Sequence, residues 1–430
     1  MTAGNTPWSR GWSRVVALTT HAALTGAAGT VAVQATIQLA GFASAILVMR
    51  WTDQQQYALY TLALSLLGAL SALADSGVAA NVMAQGGRVW RDRVALGAVL
   101  AAGNYIRNRL GITVCLIGIP MAVFLTNRKF EGSASSLASL AAVVIAFVCY
   151  QPSIILEAPL KLHQDLRVLL QFRLGSNALR VVATVVAAMV APFAWAIILA
   201  GALAQAVSNI FLRQLAARRA DLSQKPAAEG LRELKHIVGR SLPGALYYSV
   251  QSQASLWLLA TLGVTQSVAE LGALGRLAAI ATLATVAFDT VVAPRFARQP
   301  PAAVRRLFFK ILALSGMVLV AAAFVCSSLS TVILALLGDK YRHLGYEFSI
   351  LCAATAVSLV TSFSWSMNAA RAYLPPWFVY PTVGTLCYVA FCLIFGVDTL
   401  TAALHVQLAC AIAGLLTNLV VFQIKSRTAA

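Results

Sequence analysis

Glu270 to Arg298 reads ELGALGRLAAIATLATVAFDTVVAPRFAR. The run is long and apolar enough to cross a bilayer, it holds Arg276 well inside, and it stops at Arg295 and Arg298. A guanidinium at the centre of a membrane helix costs roughly 2.5–3.5 kcal/mol on insertion scales, so a chain that keeps one turns it toward a polar cavity or a partner. This stretch therefore predicts a helical membrane protein with an internal polar path.

Composition agrees. Of 430 residues 60% are hydrophobic and only 11% charged, against about 25% charged in ordinary soluble domains. The N-terminal sequence MTAGNTPWSRGWSR carries Arg10 and Arg14 but no short apolar core with a small-residue cleavage site, so no signal peptide is expected and the first span would serve as its own insertion signal. The net charge of +18 does not point to nucleic acid, because the basic residues lie between apolar segments rather than on one soluble face. The cysteines, Cys115, Cys149, Cys326, Cys352, Cys387, Cys392 and Cys410, sit in apolar runs with no CxxC and no neighbouring histidine. Neither a metal site nor a cofactor is expected.

Crossing about 30 Å of hydrocarbon takes roughly 20 helical residues, and windows of that length give about twelve spans. The reading is an all-α polytopic membrane protein in two six-helix bundles. The first covers residues 1–217 and the second 241–430, joined by a cytosolic linker at 218–240, RRADLSQKPAAEGLRELKHIVGR. With both termini cytoplasmic, Lys and Arg gather on one side and the outer connections carry only Arg50, Arg128, Lys129, Lys340 and Arg342. Trp51, Trp90, Trp195, Trp257 and Trp377 fall near span ends, where amphipathic rings prefer the headgroup level. Two spans are compound in this reading. The second continues from Ala74 toward Met83, and the third, Leu110 to Thr126, follows a segment from Val94 that is expected to bend, since one straight rod would reach about 50 Å.

Placing Asp75 on Asp289 aligns Asp75-Ser-Gly-Val-Ala-Ala-Asn-Val-Met-Ala-Gln85 with Asp289-Thr-Val-Val-Ala-Pro-Arg-Phe-Ala-Arg-Gln299. The offset is close to half the chain, and six spans return a chain to its starting side. Parallel repeats are thus expected, related by a pseudo-twofold axis along the membrane normal with the substrate path between them.

Within the spans, Arg276 reads as a cavity cation for a phosphate, against a structural ion pair or snorkelling. Asp289 is not its partner, because about 20 Å of helix separates them. Arg180, with Asn177 one turn before it, reads as a second cavity cation or an interhelical bridge. Arg107 and Arg109 read as headgroup contacts. Asp75 and Asp289 are candidates for ion coupling, against helix-end contacts. Gln34, Gln38, Gln251, Gln253, Trp365 and Asn368 could hydrogen-bond and stack on sugars in a cavity, or hold helices together. The sequence offers no nucleophile elbow, Walker loop or metal-ligand cluster, so no enzyme is expected.

Leu274-Gly-Arg-Leu277 followed by Ala293-Pro-Arg-Phe-Ala-Arg298 resembles the eighth-helix region of polysaccharide flippases in the MOP superfamily, which exports drugs, oligosaccharidyl-lipids and polysaccharides. Leu156-Glu-Ala-Pro-Leu-Lys-Leu-His-Gln164 and Ala74-Asp-Ser-Gly-Val-Ala79 are similar to other helix junctions of that family. The resemblance implies a V-shaped MATE-like transporter in a bacterial inner membrane. Its partners would be membrane lipids, a polyprenyl-diphosphate-linked glycan that it flips outward, and a polysaccharide polymerase and chain-length regulator. It also implies that Arg276 meets the diphosphate. The alternatives are a MATE-type cation exporter, whose cavity would need unpaired acids, and a membrane O-antigen polymerase or ligase, which would need a large outer loop.

Overall fold

The computed structural model describes residues 27–130, 134–371, 373, 375, 378–396 and 398–428. Arg10, Arg14 and Trp377 lie outside them. The first half contains α1 (Ala27–Trp51), α2 (Gln54–Asp75), α3 (Val78–Val89), α4 (Arg93–Phe130), α5 (Ala134–Leu156), α6 (Ala158–Leu162), α7 (Leu166–Val190) and α8 (Ala194–Ala217). The chain crosses to the second half on α9 (Ala228–Leu262), followed by α10 (Thr265–Ile280), α11 (Thr282–Ala297), α12 (Pro301–Ser328) and α13 (Ser330–Leu337). It ends with α14 (Gly345–Ala370), α15 (Val379–Phe395) and α16 (Leu400–Thr428). No strand occurs among the described residues, as expected where every backbone group in hydrocarbon must find a partner within its own segment.

Among the described residues ten helical stretches are long and apolar enough to span a membrane. The remaining two expected positions are helical as well: the seventh lies in the second part of α9, and the eleventh is the 17-residue α15. Outward-facing side chains such as Leu116, Ile117, Met317, Phe324 and Leu393 are exposed, as lipid contact requires.

Local chemistry sets the breaks. Asp53 starts α2 by accepting from the Gln56 amide at 2.7 Å. The helix ends where Ser76 and Gly77 take left-handed φ values of 34° and 85°, and Asp75 Oδ1 then caps α3 by accepting from the Ala79 amide at 3.1 Å. The eighth span breaks differently. It divides at Ala281 with no glycine or proline present, and short-turn bonds run from the Ala281 amide to the Ala278 carbonyl and from the Ala284 amide to the Ala281 carbonyl, both at 3.0 Å.

The third span is continuous with the segment that precedes it. No elbow separates Val94–Ile106 from Leu110, because α4 is one helix of 38 residues. One face of its first half is buried: Leu96, Leu100 and Ile106 pack with Val78, Val82 and Ile155, and with Leu234 and Val238 from the start of α9, while Val94 and Tyr105 stay exposed. The side chain of Arg107 is likewise buried, donating through Nε to Gln151 Oε1 rather than reaching headgroups. Arg109 stays exposed, its guanidinium 5.4 Å from the Tyr105 ring centroid.

Packing gives the bundles a V shape. At the distal end, where α1 meets α2 and α9 meets α10, one core joins both halves through residues such as Met49, Tyr57, Ile197, Leu259, Val268 and Tyr341. Toward the linker end separate cores close: one packs α3, α4 and the end of α5 with Leu234 and Val238 of α9, and the second half closes another. The second half does so with stacked rings, Phe308 on Phe422 at 3.7 Å and Phe288 on Phe363 at 4.1 Å.

Candidate functional site

The two arginines that the sequence places deep in spans share one cavity of about 330 Å³. α7 delivers Arg180 from the first half and α10 delivers Arg276 from the second. Gln38, Tyr60, Tyr150 and Thr184 complete the polar wall. Arg180 donates through Nη2 to Asn177 Oδ1 at 2.8 Å, and Asn177 is itself buried. The Arg276 guanidinium lies 6.0 Å from the Tyr60 ring centroid, within the range of a cation–π contact. The Tyr57 hydroxyl is buried beside it without a hydrogen bond of good geometry.

Among the described residues no carboxylate lies within ion-pair distance of either guanidinium, and no acid lines the cavity. Two half-buried like charges therefore face one cavity without a counterion among the described residues, an arrangement whose electrostatic deficit an anion would relieve. Arginine suits phosphate oxygens in particular, because its planar fork donates two parallel hydrogen bonds.

The sequence-derived residues divide into groups. Gln38 lines the cavity and crosses between halves, donating through Nε2 to Thr282 Oγ1 at 2.9 Å and to the Ala279 carbonyl at 3.3 Å. Gln34, one turn earlier on α1, is not in the cavity wall. Gln251 and Gln253 line an adjoining chamber of about 790 Å³ that Arg276 also borders. Trp365 and Gln251 line a third chamber, about 430 Å³, within the second half. Asn368 is fully buried and donates to the Asn418 carbonyl at 3.0 Å, an interhelical bond behind the third chamber, whose wall includes Asn418 but not Asn368. Asp75 caps α3, and Asp289 accepts from Ser366 Oγ at 2.6 Å on an exposed face. Neither acid borders the chambers.

Tyrosines supply what charge and amide patterns miss. Tyr57, Tyr60 and Tyr150 surround the arginines, and Tyr247, Tyr248, Tyr380 and Tyr388 furnish the second half's chambers. In sequence each is one ring in an apolar run. Only the crowding of Tyr57 and Tyr60 on the second span, and of Tyr247 and Tyr248 on the seventh, gives a hint.

The distal closure is specific. Trp257 Nε1 donates to Ser65 Oγ at 3.1 Å, Arg50 Nη2 to the Leu336 carbonyl at 3.0 Å, and Lys340 Nζ to the Thr52 carbonyl at 3.3 Å, each bond joining the two halves. Gly272 of α10 packs directly on the Thr61 side chain of α2.

No protein-family model matches the chain, and no curated protein sequence matches it. Solved structures do. A multidrug resistance MATE family transporter of the MOP superfamily, in an inward-facing conformation, aligns with a TM-score of 0.66 at 14% identity, covering 91% of this chain and 94% of its own. The lipid II flippase MurJ, in an inward closed conformation, gives 0.66 at 12% identity over 91% of this chain and 87% of its own. A MOP superfamily transporter from Pyrococcus furiosus, described as having a binding pocket of reverse polarity, gives 0.59 at 13% identity over 94% and 96%. The fold of this chain is that of MOP superfamily transporters.

Proposed function

We propose that the protein is a flippase that carries a polyprenyl-diphosphate-linked oligosaccharide across the bacterial inner membrane by alternating access, for surface polysaccharide synthesis. One observation carries the reading: Arg180 and Arg276, from opposite halves, face a common cavity that no described acid neutralises. A diphosphate cannot enter hydrocarbon unaided, and two guanidiniums with nearby hydroxyl and amide groups replace its hydration. The prenyl tail stays in lipid. In this reading the headgroup loads from the linker side, the cytosolic one, while the distal ends are joined. Rocking of the halves then exposes the headgroup distally.

Multidrug exporters share this fold, and the sign of the cavity separates the two readings. An organic cation is best matched by a carboxylate, none lines the arginine cavity, and the Tyr60 ring there already lies 6.0 Å from the Arg276 guanidinium. The test is Arg276→Ala in a deletion strain of the host bacterium. Surface polysaccharide should be lost while lipid-linked precursor accumulates and the protein stays in the membrane. Arg276→Lys should restore only part of the export, since an ammonium lacks the bidentate fork. Normal export by Arg276→Ala would overturn the reading.

A further inference from the structure

The charge of the cavity system lies on one side. Arg276 and Ala279 border both the arginine cavity and the adjoining chamber; Tyr248, Gln251 and Cys410 border both that chamber and the third one. The path thus runs from two cations into a space in the second half lined by no charged residue. Its walls have a distinct chemistry. The Trp365 ring is 40% exposed and stands edge-on to Tyr380 at 5.2 Å; Tyr248 is 49% exposed and stands edge-on to Tyr247 at 5.1 Å. Gln251, at the junction, has no hydrogen-bond partner among the described residues. Asn418 is committed instead to the protein, accepting from Tyr380 Oη at 2.7 Å. Gly384 of α15 is required here, because a Cβ at that position would overlap the Tyr247 hydroxyl.

Exposed aromatic faces beside a free amide suit a ligand that has both apolar C–H faces and hydroxyl groups. A hydrocarbon tail would leave the amide and hydroxyls without water or partner. An organic cation would meet no carboxylate and would pass Arg276 on its way. An anionic sugar would find no cation within the chamber.

We propose that this chamber is a glycan subsite, which receives an uncharged sugar of the transported headgroup against Trp365 and Tyr248, hydrogen-bonded by Gln251, while the diphosphate remains at Arg276. The inference rests on the flippase reading above. It adds a polarity to the bound substrate: phosphates toward α7 and α10, sugars toward α9, α14, α15 and α16. Selection among glycans then falls to the chamber within the second half, and the arginine cavity between the halves holds the part common to all lipid-diphosphate carriers.

The test uses the full chain in nanodiscs and two separated pieces of substrate. Lipid-linked glycans are extracted from the deletion strain and the free glycan is released by mild acid; inorganic pyrophosphate serves as the other probe. Trp365→Ala and Tyr248→Ala should each weaken free-glycan binding by about tenfold or more, the equivalent of losing one aromatic contact, and leave pyrophosphate binding unchanged. Arg276→Ala should do the reverse, and Trp365→Phe should retain glycan binding, which separates a lost platform from a lost fold. If pyrophosphate binds but the free glycan does not, or binds both alanine variants as well as the wild type, the subsite is wrong and the flippase reading stands. If neither probe binds while tetraphenylphosphonium does, and Trp365→Ala abolishes that binding, both fall.

Discussion

Gln38 of α1 donates to Thr282 Oγ1 at 2.9 Å at the point where the eighth span breaks, and its second bond reaches the Ala279 carbonyl. Thr282 Oγ1 in turn donates to the same carbonyl at 2.7 Å. The break leaves that carbonyl without a regular helical partner, and a side chain from the opposite half supplies one. Separation of the halves in this region would break both Gln38 bonds, so the amide couples the local shape of the span that carries Arg276 to the closure of the bundles. Interhelical hydrogen bonds of this kind average about 0.6 kcal/mol in membranes. Gln38→Leu should therefore shift the equilibrium between closed and separated arrangements by about threefold. Distance distributions between spin labels on α1 and α11 should broaden toward longer values; an unchanged distribution would mean the bond does not report on closure.

Gly272 gives a steric prediction. A methyl group there would run into Thr61 across the joined distal end, so Gly272→Ala should prevent full closure at that end and reduce export even though neither residue touches the arginine cavity. Thr61→Ala removes the hydroxyl and methyl that cause most of the overlap. The double variant Gly272→Ala, Thr61→Ala should recover export that the single variant lacks, measured as surface polysaccharide per cell. Failure of the second change to improve the first would locate the defect elsewhere.

The membrane class and most helices are legible from the sequence, because bilayer thickness imposes one length on every span and apolar runs show it. Arg180 and Arg276 are legible as charges too expensive to leave in lipid. The break after Asp75 is partly legible through Gly77. The break at Ala281 is not, since AAIATLATV is a continuous helical pattern and Gln38, far away in the chain, meets the carbonyl it leaves. The burial on α4 is hidden for a similar reason: Arg107 reads as a headgroup contact until Gln151 accepts its Nε, and the start of α9 covers Leu96, Leu100 and Ile106. Asn368 shows the reverse case. It has the same signature as a cavity amide, but its bond to the Asn418 carbonyl places it inside the second bundle.

Asp221 makes the connection between α8 and α9 acid-sensitive. Its carboxylate accepts from the Ser223 hydroxyl at 2.7 Å, from Gln224 Nε2, and from the Ser223 amide at 3.1 Å, and these bonds hold its pKa down to about 2 from an ordinary value near 3.8. A depressed carboxyl stabilises the ordered turn at pH values above about 4, and that contribution fades as pH falls through its folded value near 2. The Asp221 amide also donates to the Arg93 carbonyl at 2.9 Å, tying the turn to the start of α4. Asp221→Ala should raise amide exchange over residues 221–227 at neutral pH. The wild type should approach the variant's exchange level, after correction for intrinsic rates, only between pH 4 and 2.

Arg50 and Lys340 form a reciprocal clasp over the distal end. Arg50 caps the last carbonyls of α13 from the first half, at 3.3 Å to Ala335 and 3.0 Å to Leu336. Lys340 reaches back to the Thr52 carbonyl just beyond α1. Both cations sit at helix C-terminal ends, where positive charge is favoured by the helix dipole by about 0.3–1 kcal/mol at exposed positions. Neither bond can persist when the distal ends part, so the clasp stabilises the linker-side-open state alone. Removing both, as Arg50→Ala with Lys340→Ala, should favour the distally open state by about three- to thirtyfold if the two contributions add. Faster labelling of a cysteine introduced at Ser65, in a background cleared of native cysteines, would report the shift; labelling at the parental rate would show that the apolar contacts around Tyr57 and Tyr341 hold the closure without the clasp.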